Sequence, residues 1–81
     1  MDFNELVRQE RVAQDGKWGE QNHEPLKWLG ILIEEVGELA TECININPEN
    51  SNNSLWLEHE LVQVAAVCKV IYESGKRNDW L

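Results

Sequence analysis

Four glutamates lie close together in an otherwise apolar stretch, ILIEEVGELATE, at positions Glu34, Glu35, Glu38 and Glu42. At about 100° per residue, their carboxylates fall within a sector of about 100° of an α-helix. Apolar side chains fill the opposite side of that helix: Leu29, Leu32, Val36, Leu39, Ala40 and Cys43. For this helix alone, a solvated acidic face explains the pattern as well as a ligand site does, because exposed like charges at i,i+4 cost only about a few tenths of a kcal/mol.

A fifth carboxylate, Glu60, favours a ligand site over a solvated acidic face. It lies in the middle of the apolar side of a later helix, next to Leu57, Val64 and Val67. An isolated buried charge costs several kcal/mol, so Glu60 requires either a proton or a cation, and Lys69 of the same helix lies on another side. If the two helices pack antiparallel, Glu60 faces the earlier carboxylates, and a divalent metal is the economical way to hold them together. Oxygen ligands favour Mg²⁺ or Mn²⁺, and Mg²⁺ keeps positions open for water and substrate phosphates.

Three helices are predicted from the spacing of apolar residues, and no segment alternates as a strand would. The first runs from about Asp2 to Gln14, with Phe3, Leu6, Val7 and Val12 as its buried stripe. The second runs from Pro25 to about Ile46, before Asn47-Pro48. The third runs from about Leu55 to Ser74, capped by Ser54 or Asn53 and closed by Gly75. We therefore expect one all-α domain over residues 1–81: a helical hairpin of two long antiparallel helices plus an N-terminal helix.

Size and charge restrict the class of protein. A chain of 81 residues buries only about 60% of its unfolded surface, so it needs disulfides, a metal or self-association. Cys43 and Cys68 lie in apolar helical patterns and are expected to be buried free thiols, which fits a reducing cytosol. With 7 basic and 15 acidic residues, net charge −8, a nucleic acid polymer is not the expected partner. No signal core or membrane span is recognisable, and we expect a soluble cytoplasmic protein.

The carboxylate motifs resemble those of a known family. Glu35-x-x-Glu38, followed later by Glu60-Leu-Val-Gln63, is similar to the E-x-x-E and E-x-x-D pair of the all-α nucleoside triphosphate pyrophosphohydrolases of the MazG and dCTP pyrophosphatase kind. The upstream segment WGEQNHEP, residues 18–25, with Trp28-Leu29 after it, resembles the tryptophan, glutamine, histidine and proline segment of those enzymes. The resemblance covers about residues 16–73, so the chain is interpreted as a single MazG-like domain.

This resemblance implies an activity and an assembly. Such enzymes convert (d)NTP and water to (d)NMP and pyrophosphate with Mg²⁺, a nucleotide-pool house-cleaning reaction, and form homodimers or homotetramers of the four-helix-bundle type. Glu35, Glu38 and Glu60 would be metal ligands, and Glu34 either a further ligand or the base that orients water. Gln63 departs from the pattern, which has Asp there. Its carbonyl can still bind metal, but weaker metal binding, a different number of metals and loss of catalysis all stay open.

Residues outside the carboxylate motifs supply candidate substrate contacts. Trp18 could stack on a nucleobase, beside Gln21 and His23. Trp28 and Trp56 fit such a pocket too, but also fit core or dimer packing. Glu20-x-x-His23 resembles half of a di-iron motif, which would require Glu-x-x-His on two helices, and neither long helix has one. Four cations could reach triphosphate oxygens, although residues placed like the last two more often simply complement a helix dipole: Lys17, Lys27, Lys76 and Arg77.

Two alternatives to the enzyme remain at this point. One is a catalytically weak module that binds nucleotide or metal, for which Gln63 is the motivating residue. The other is a helical interaction protein whose apolar faces serve only assembly.

Overall fold

A computed structural model describes residues 1–46, 49 and 52–81, with the side chains of residues 52–54 excepted. It contains three helices, α1 (Phe3–Trp18), α2 (Pro25–Ile44) and α3 (Asn52–Arg77). No strand occurs among the described residues, so the all-α prediction is confirmed. Helix α2 ends two residues earlier than predicted, and the predicted stop at Asn47-Pro48 lies outside the described residues. Because α3 begins at Asn52, Asn53 and Ser54 lie inside its first turn and do not precede it as caps.

Helix α1 is longer than its sequence pattern indicates. The Asp2 side chain caps its start by accepting a hydrogen bond from the Glu5 amide at 2.8 Å. The helix continues past Asp15-Gly16 and ends at Gly19, whose positive φ of 70° suits glycine. The prediction that Asp15-Gly16 stops the helix was therefore wrong. The reason is that Arg11 binds Asp15 one turn later and supports the helix through this region.

The buried side of α1 also differs from the predicted stripe. Val7, Arg11 and Gln14 are buried, whereas Phe3 and Val12 are exposed. Arg11 occupies a position between α1 and α3, where its guanidinium binds Glu73 at 2.7 Å. A long side chain can bury its stem while its charged end is paired, so this position tolerates a cation that an apolar pattern would not predict.

The end of α3 shows that Gly75 has a different role from the predicted cap. The helix passes through Gly75 to Arg77, and Asp79 takes the positive φ (61°) at its end. The Trp80 amide then donates to the Gly75 carbonyl at 3.0 Å, as in a Schellman motif. A Cβ on Gly75 would lie 2.5 Å from Leu81 Cδ1, so glycine allows residues 80 and 81 to fold back onto the helix.

Helices α1 and α2 both pack against α3. Trp28 contacts Ser74 at one end of the α2–α3 pair, and Glu35 lies near Glu60 further along, so the predicted antiparallel hairpin is present. A small core forms between α1 and α3 around Val7 and Val62, with Ala66 beside them. Helix α3 therefore holds α1 and α2 in place and brings residues of all three helices close together.

Helix α2 packs on α3 through a mixed side that carries apolar side chains together with two of its carboxylates, Glu35 and Glu42, while other apolar side chains face outwards. Residues 28, 31, 35, 39 and 42 are buried or half-buried, at the 3–4 spacing of a packed helix face. On the other side, five large apolar side chains are between 46% and 81% exposed: Leu26, Leu29, Ile33, Val36 and Ile44. Cys43 and Cys68 are also exposed, so the prediction of buried thiols was wrong for this chain. Both cysteines lie on outward sides of their helices.

Among the described residues, no helix combines the length and the apolar content that crossing a bilayer requires.

Candidate metal centre and adjoining cavity

Three carboxylates of the sequence motifs meet in space. Glu35 and Glu38 lie one turn apart on α2, and Glu60 approaches them from α3. One oxygen from each of the three residues lies within 4.8 Å of the others. The predicted convergence of Glu60 on the carboxylates of the second helix is therefore present, produced by the antiparallel packing of α2 against α3.

Each half-buried carboxylate of this cluster has an oxygen without a partner. Oε2 of Glu35 and Oε2 of Glu60 are shielded from solvent and accept no hydrogen bond from any described residue. Buried polar atoms are normally satisfied, and an unsatisfied one costs about 1–3 kcal/mol, more when it is charged. These two oxygens are the feature of the cluster that an exposed acidic surface does not share.

Without a cation, the surroundings of the cluster make the ionised forms of Glu35 and Glu60 less favourable than they are in water. Burial, followed by the negative charges of Glu38 and Glu60, raises the pKa of Glu35 above its ordinary value. Burial also raises the pKa of Glu60, and Glu38 is the strongest neighbouring charge that does so. A divalent cation bound between these carboxylates would reverse both effects, because it favours the ionised forms. The donor set is all oxygen, which fits Mg²⁺ or Mn²⁺.

Two further residues of the motifs lie beside the cluster. Glu34 is exposed, and its charge contributes to the raised pKa of Glu35. Gln63 is half-buried, one turn after Glu60 on α3, and shares with Glu35 the lining of a neighbouring cavity. The structure therefore brings together Glu35, Glu38 and Glu60, with Glu34 on the solvent side and Gln63 on the cavity side.

The cavity has a volume of about 200 Å³ and lies between the three helices. Trp18 and Gln21, both predicted from sequence as pocket residues, are part of its wall. Aromatic and apolar side chains and three carboxamides form the lining, together with one carboxylate: Trp18, Trp28, Ile31, Val67 and Val70; Gln14, Gln21 and Gln63; and Glu35. Through Glu35 the cavity is continuous with the carboxylate cluster. A ligand that fills it can therefore extend to the carboxylate cluster.

The remaining aromatic candidates divide between packing and exposure. Trp28 is only 2% exposed, and its indole Nε1 donates to Ser74 Oγ at 3.3 Å, so it is a packing residue that also forms part of the cavity wall. His23 does not line the cavity. Its ring instead packs edge-on against Trp28, with centroids 4.7 Å apart. Trp56 is 60% exposed on α3.

Three of the four candidate cations have partners of their own. Arg77 binds the segment before α2: its Nε donates to Asn22 Oδ1 at 2.9 Å, and its terminal nitrogen donates to the Gln21 carbonyl at 2.8 Å. The Lys17 ammonium lies 4.7 Å from the Trp18 ring centroid, and that of Lys76 lies over the Tyr72 ring. Lys27 is exposed in the first turn of α2. None of these contacts places a described cation against the carboxylate cluster.

Sequence reasoning missed two contributors. Gln14 is buried and lines the cavity; its amide oxygen accepts from Arg11 at 3.0 Å. Its place on the same helix side as Val7, at i+7, was a usable signal, but polarity argued against burial. Asn22 binds the end of α3, a contact between residues 55 or more apart in sequence that no local pattern reveals.

Comparison of the chain with protein-family models, with curated proteins and with solved structures gave no match.

Proposed function

We propose that this protein is a Mg²⁺-dependent nucleoside triphosphate pyrophosphohydrolase, which converts (d)NTP and water to (d)NMP and pyrophosphate and removes unwanted nucleotides. The observation that carries the proposal is the pair of buried, unpartnered oxygens of Glu35 and Glu60 beside a cavity lined by tryptophan and carboxamides. A divalent cation satisfies both oxygens and offsets the repulsion around Glu38. A base-sized group fits the adjoining cavity.

The two parts of the site suit the two parts of a nucleotide. Pockets for whole drug-sized ligands measure about 300–1,000 Å³, whereas this cavity measures about 200 Å³. We therefore assign the cavity to the base and the cluster to the phosphates. Trp18 offers a stacking surface, and the carboxamides of Gln14 and Gln21 offer donors and acceptors.

The chemistry follows from the carboxylates. Glu35, Glu38 and Glu60 would hold Mg²⁺, with Mn²⁺ as a substitute, and the bound metal would lower the pKa of water and offset phosphate charge. Glu34, exposed next to the cluster, is the residue we assign to orienting the attacking water. Positioning and charge stabilisation supply most of the catalysis of phosphoryl transfer, so no covalent nucleophile is required.

Self-association into a homodimer or homotetramer is part of the proposal. The accessible surface is 5709 Å², whereas a compact monomer of 9.4 kDa exposes about 5,000 Å². The excess of about 700 Å² approaches the roughly 800 Å² that each partner buries in a standard interface. The radius of gyration, 14.0 Å, likewise exceeds the about 12 Å expected for a compact domain of this length.

The outer side of α2 is the surface that a second copy would cover. Leu26, Leu29, Ile33 and Val36 repeat at the 3–4 spacing of a coiled-coil seam. A Cβ added at Gly30 or Gly37 would meet nothing within 4 Å apart from its own helix, so another helix can approach closely there. A membrane surface is a poorer fit, because interfacial helices are rich in Lys and Arg, and α2 has only Lys27.

The competing function is a module that binds nucleotide or metal with little catalysis, favoured by the neutral Gln63 beside the cluster. Gln63→Asp separates the two. We expect no gain in pyrophosphate release, because Gln63 lines the cavity and Asp would add a fourth charge next to raised-pKa carboxylates. A large gain would instead show that the native site is catalytically impaired.

The direct test is pyrophosphate release from a panel of canonical and modified (deoxy)nucleoside triphosphates with Mg²⁺ and with Mn²⁺. We compare the wild type with Glu38→Ala and with Glu58→Ala, which removes an exposed carboxylate of α3 outside the cluster. Activity that is lost only in Glu38→Ala supports the enzyme and identifies the preferred base. A folded wild type that is inactive across the panel would refute it.

A further inference from the structure

The segment of residues 19–24 between α1 and α2 contributes one residue, Gln21, to the wall of the cavity. Gln21 and His23 are half-buried, whereas the alternate residues Glu20, Asn22 and Glu24 are exposed. Gln21 contributes its side chain to the cavity lining. The position of this short segment therefore determines where the Gln21 carboxamide lies relative to a bound base.

Arg77 and Asn78, at the end of α3, bind the exposed side of this segment at Asn22. We call these three residues the clasp. Arg77 donates to Asn22 Oδ1 at 2.9 Å and to the Gln21 carbonyl at 2.8 Å. Asn78 Nδ2 donates to the same Oδ1 at 2.8 Å. Arg77 also pairs with Glu20, with 3.3 Å between Nε and Oε1. The guanidinium thus engages three successive residues of the segment.

The clasp is anchored to the buried wall of the cavity. Asn78 Nδ2 donates to the Ser74 carbonyl at 2.9 Å, and the fully buried Ser74 hydroxyl accepts from Trp28 at 3.3 Å. Trp28 is itself part of the cavity lining. One continuous set of hydrogen bonds therefore runs from the cavity wall, through the end of α3, to the segment that carries Gln21.

We infer that Arg77 is a positioning residue for nucleotide binding, which acts by holding the backbone of Gln21 and the side chain of Asn22, and not by contact with the triphosphate. This inference rests on the proposed function. Its basis is that the guanidinium is already occupied by acceptors of residues 20–22. The planar fork of arginine reaches several acceptors at fixed angles, and a lysine ammonium does not reproduce that geometry.

The experiment compares charge with geometry. We measure KM and kcat for the preferred nucleotide in the wild type, Arg77→Ala, Arg77→Lys and Asn22→Ala. Each variant is expected to raise KM by about three- to tenfold, the effect of losing one or two hydrogen bonds, while kcat and the melting-temperature rise with Mg²⁺ stay within about twofold of wild type. Arg8→Ala is the matched control, because Arg8 is exposed on α1 and pairs with Glu5.

A substrate contact and a positioning role give opposite results for lysine. If KM is unchanged in Arg77→Lys but raised in Arg77→Ala, the positive charge acts on the phosphates and the inference is wrong. An unchanged KM in Arg77→Ala also overturns it, with the proposed function intact. If the wild type hydrolyses no nucleotide, the proposed function itself fails and this inference with it. Asn22→Ala keeps the test valid if the Arg77 variants fold poorly.

Discussion

Replacing Glu60 by glutamine should separate a metal site from a merely buried acid. Glutamine keeps the size of the side chain but removes the charge that faces Glu35 and Glu38. Because burial and Glu38 raise the pKa of Glu60, its ionised form destabilises the metal-free fold at neutral pH. We therefore expect Glu60→Gln to melt at a higher temperature than the wild type without metal, and to lose the response to Mg²⁺.

The size of the response to Mg²⁺ follows from ligand linkage. At a free Mg²⁺ concentration ten times Kd, binding to the folded state alone contributes about 1.4 kcal/mol. For a domain of this length, about 1 kcal/mol shifts Tm by about 4–8 °C, so the wild type should gain about 6–11 °C. The variant should gain less than about 2 °C at the same free Mg²⁺, because one of the three ligands and the charge that attracts the cation are lost.

The assay is thermal unfolding with EDTA and across a Mg²⁺ titration, at one fixed protein concentration because self-association also changes Tm. Glu58→Gln is the control, since Glu58 is an exposed carboxylate two residues before Glu60 that takes no part in the cluster. An equal rise in Tm with Mg²⁺ in Glu60→Gln and Glu58→Gln would show that the metal binds elsewhere. If Glu60→Gln is stabilised and the wild type gains nothing from Mg²⁺, the chain is better explained as a helical interaction protein.

Three further outcomes are expected. Because the pKa values of Glu35 and Glu60 are raised in the folded state, the stability that these two groups contribute without metal should be full below the ordinary carboxyl pKa and be lost as pH rises through the raised values. Saturating Mg²⁺ should reduce this loss, and Tm against pH in EDTA and in Mg²⁺ measures it. Gly75→Ala should cost about 1–3 kcal/mol, because the new Cβ meets the folded-back end of the chain; urea unfolding and faster hydrogen exchange at residues 78–81 test this. Ile33→Glu should convert the oligomer to monomer in light scattering, whereas Thr41→Glu, on another side of α2, should not.

Local patterns were sufficient to predict the helices and the carboxylate cluster. Helical spacing placed Glu35 and Glu38 on one side of α2, and the cost of burying Glu60 required a partner for it. In an antiparallel hairpin, Glu60 then faces the carboxylates of the second helix. These steps depend on residues a turn or two apart and on one short connection, so tertiary packing had little freedom to change them.

Predictions that depended on the surroundings of a side chain were less reliable. The helix wheel divides α2 into an acidic and an apolar side, and hydrophobicity alone directs the apolar side inwards. In the structure the side of α2 that packs on α3 lies between these two: it carries Leu32 and Leu39 as well as Glu35, whereas Ile33 and Val36 are exposed. Arg77 shows the same limit: a cation near a predicted phosphate site is a reasonable phosphate ligand, until the fold places Asn22 beside it.

The orientation of α2 links the proposed metal site to the proposed self-association. A single chain that directs Glu35 towards α3 brings the three carboxylates together but leaves Ile33 and Val36, two residues before it and one after, in water. Because successive helical residues lie about 100° apart, the metal face and the apolar face cannot both pack on α3. In the proposed oligomer a second copy would resolve this conflict by covering the outer face, while the carboxylates of the inner face would stay available to a cation. Under this argument, disrupting the outer face should also weaken Mg²⁺ binding, because α2 is held against α3 from both sides only in the oligomer. Monomeric Ile33→Glu that retains the full rise in Tm with Mg²⁺ would show instead that the metal site is complete in one chain.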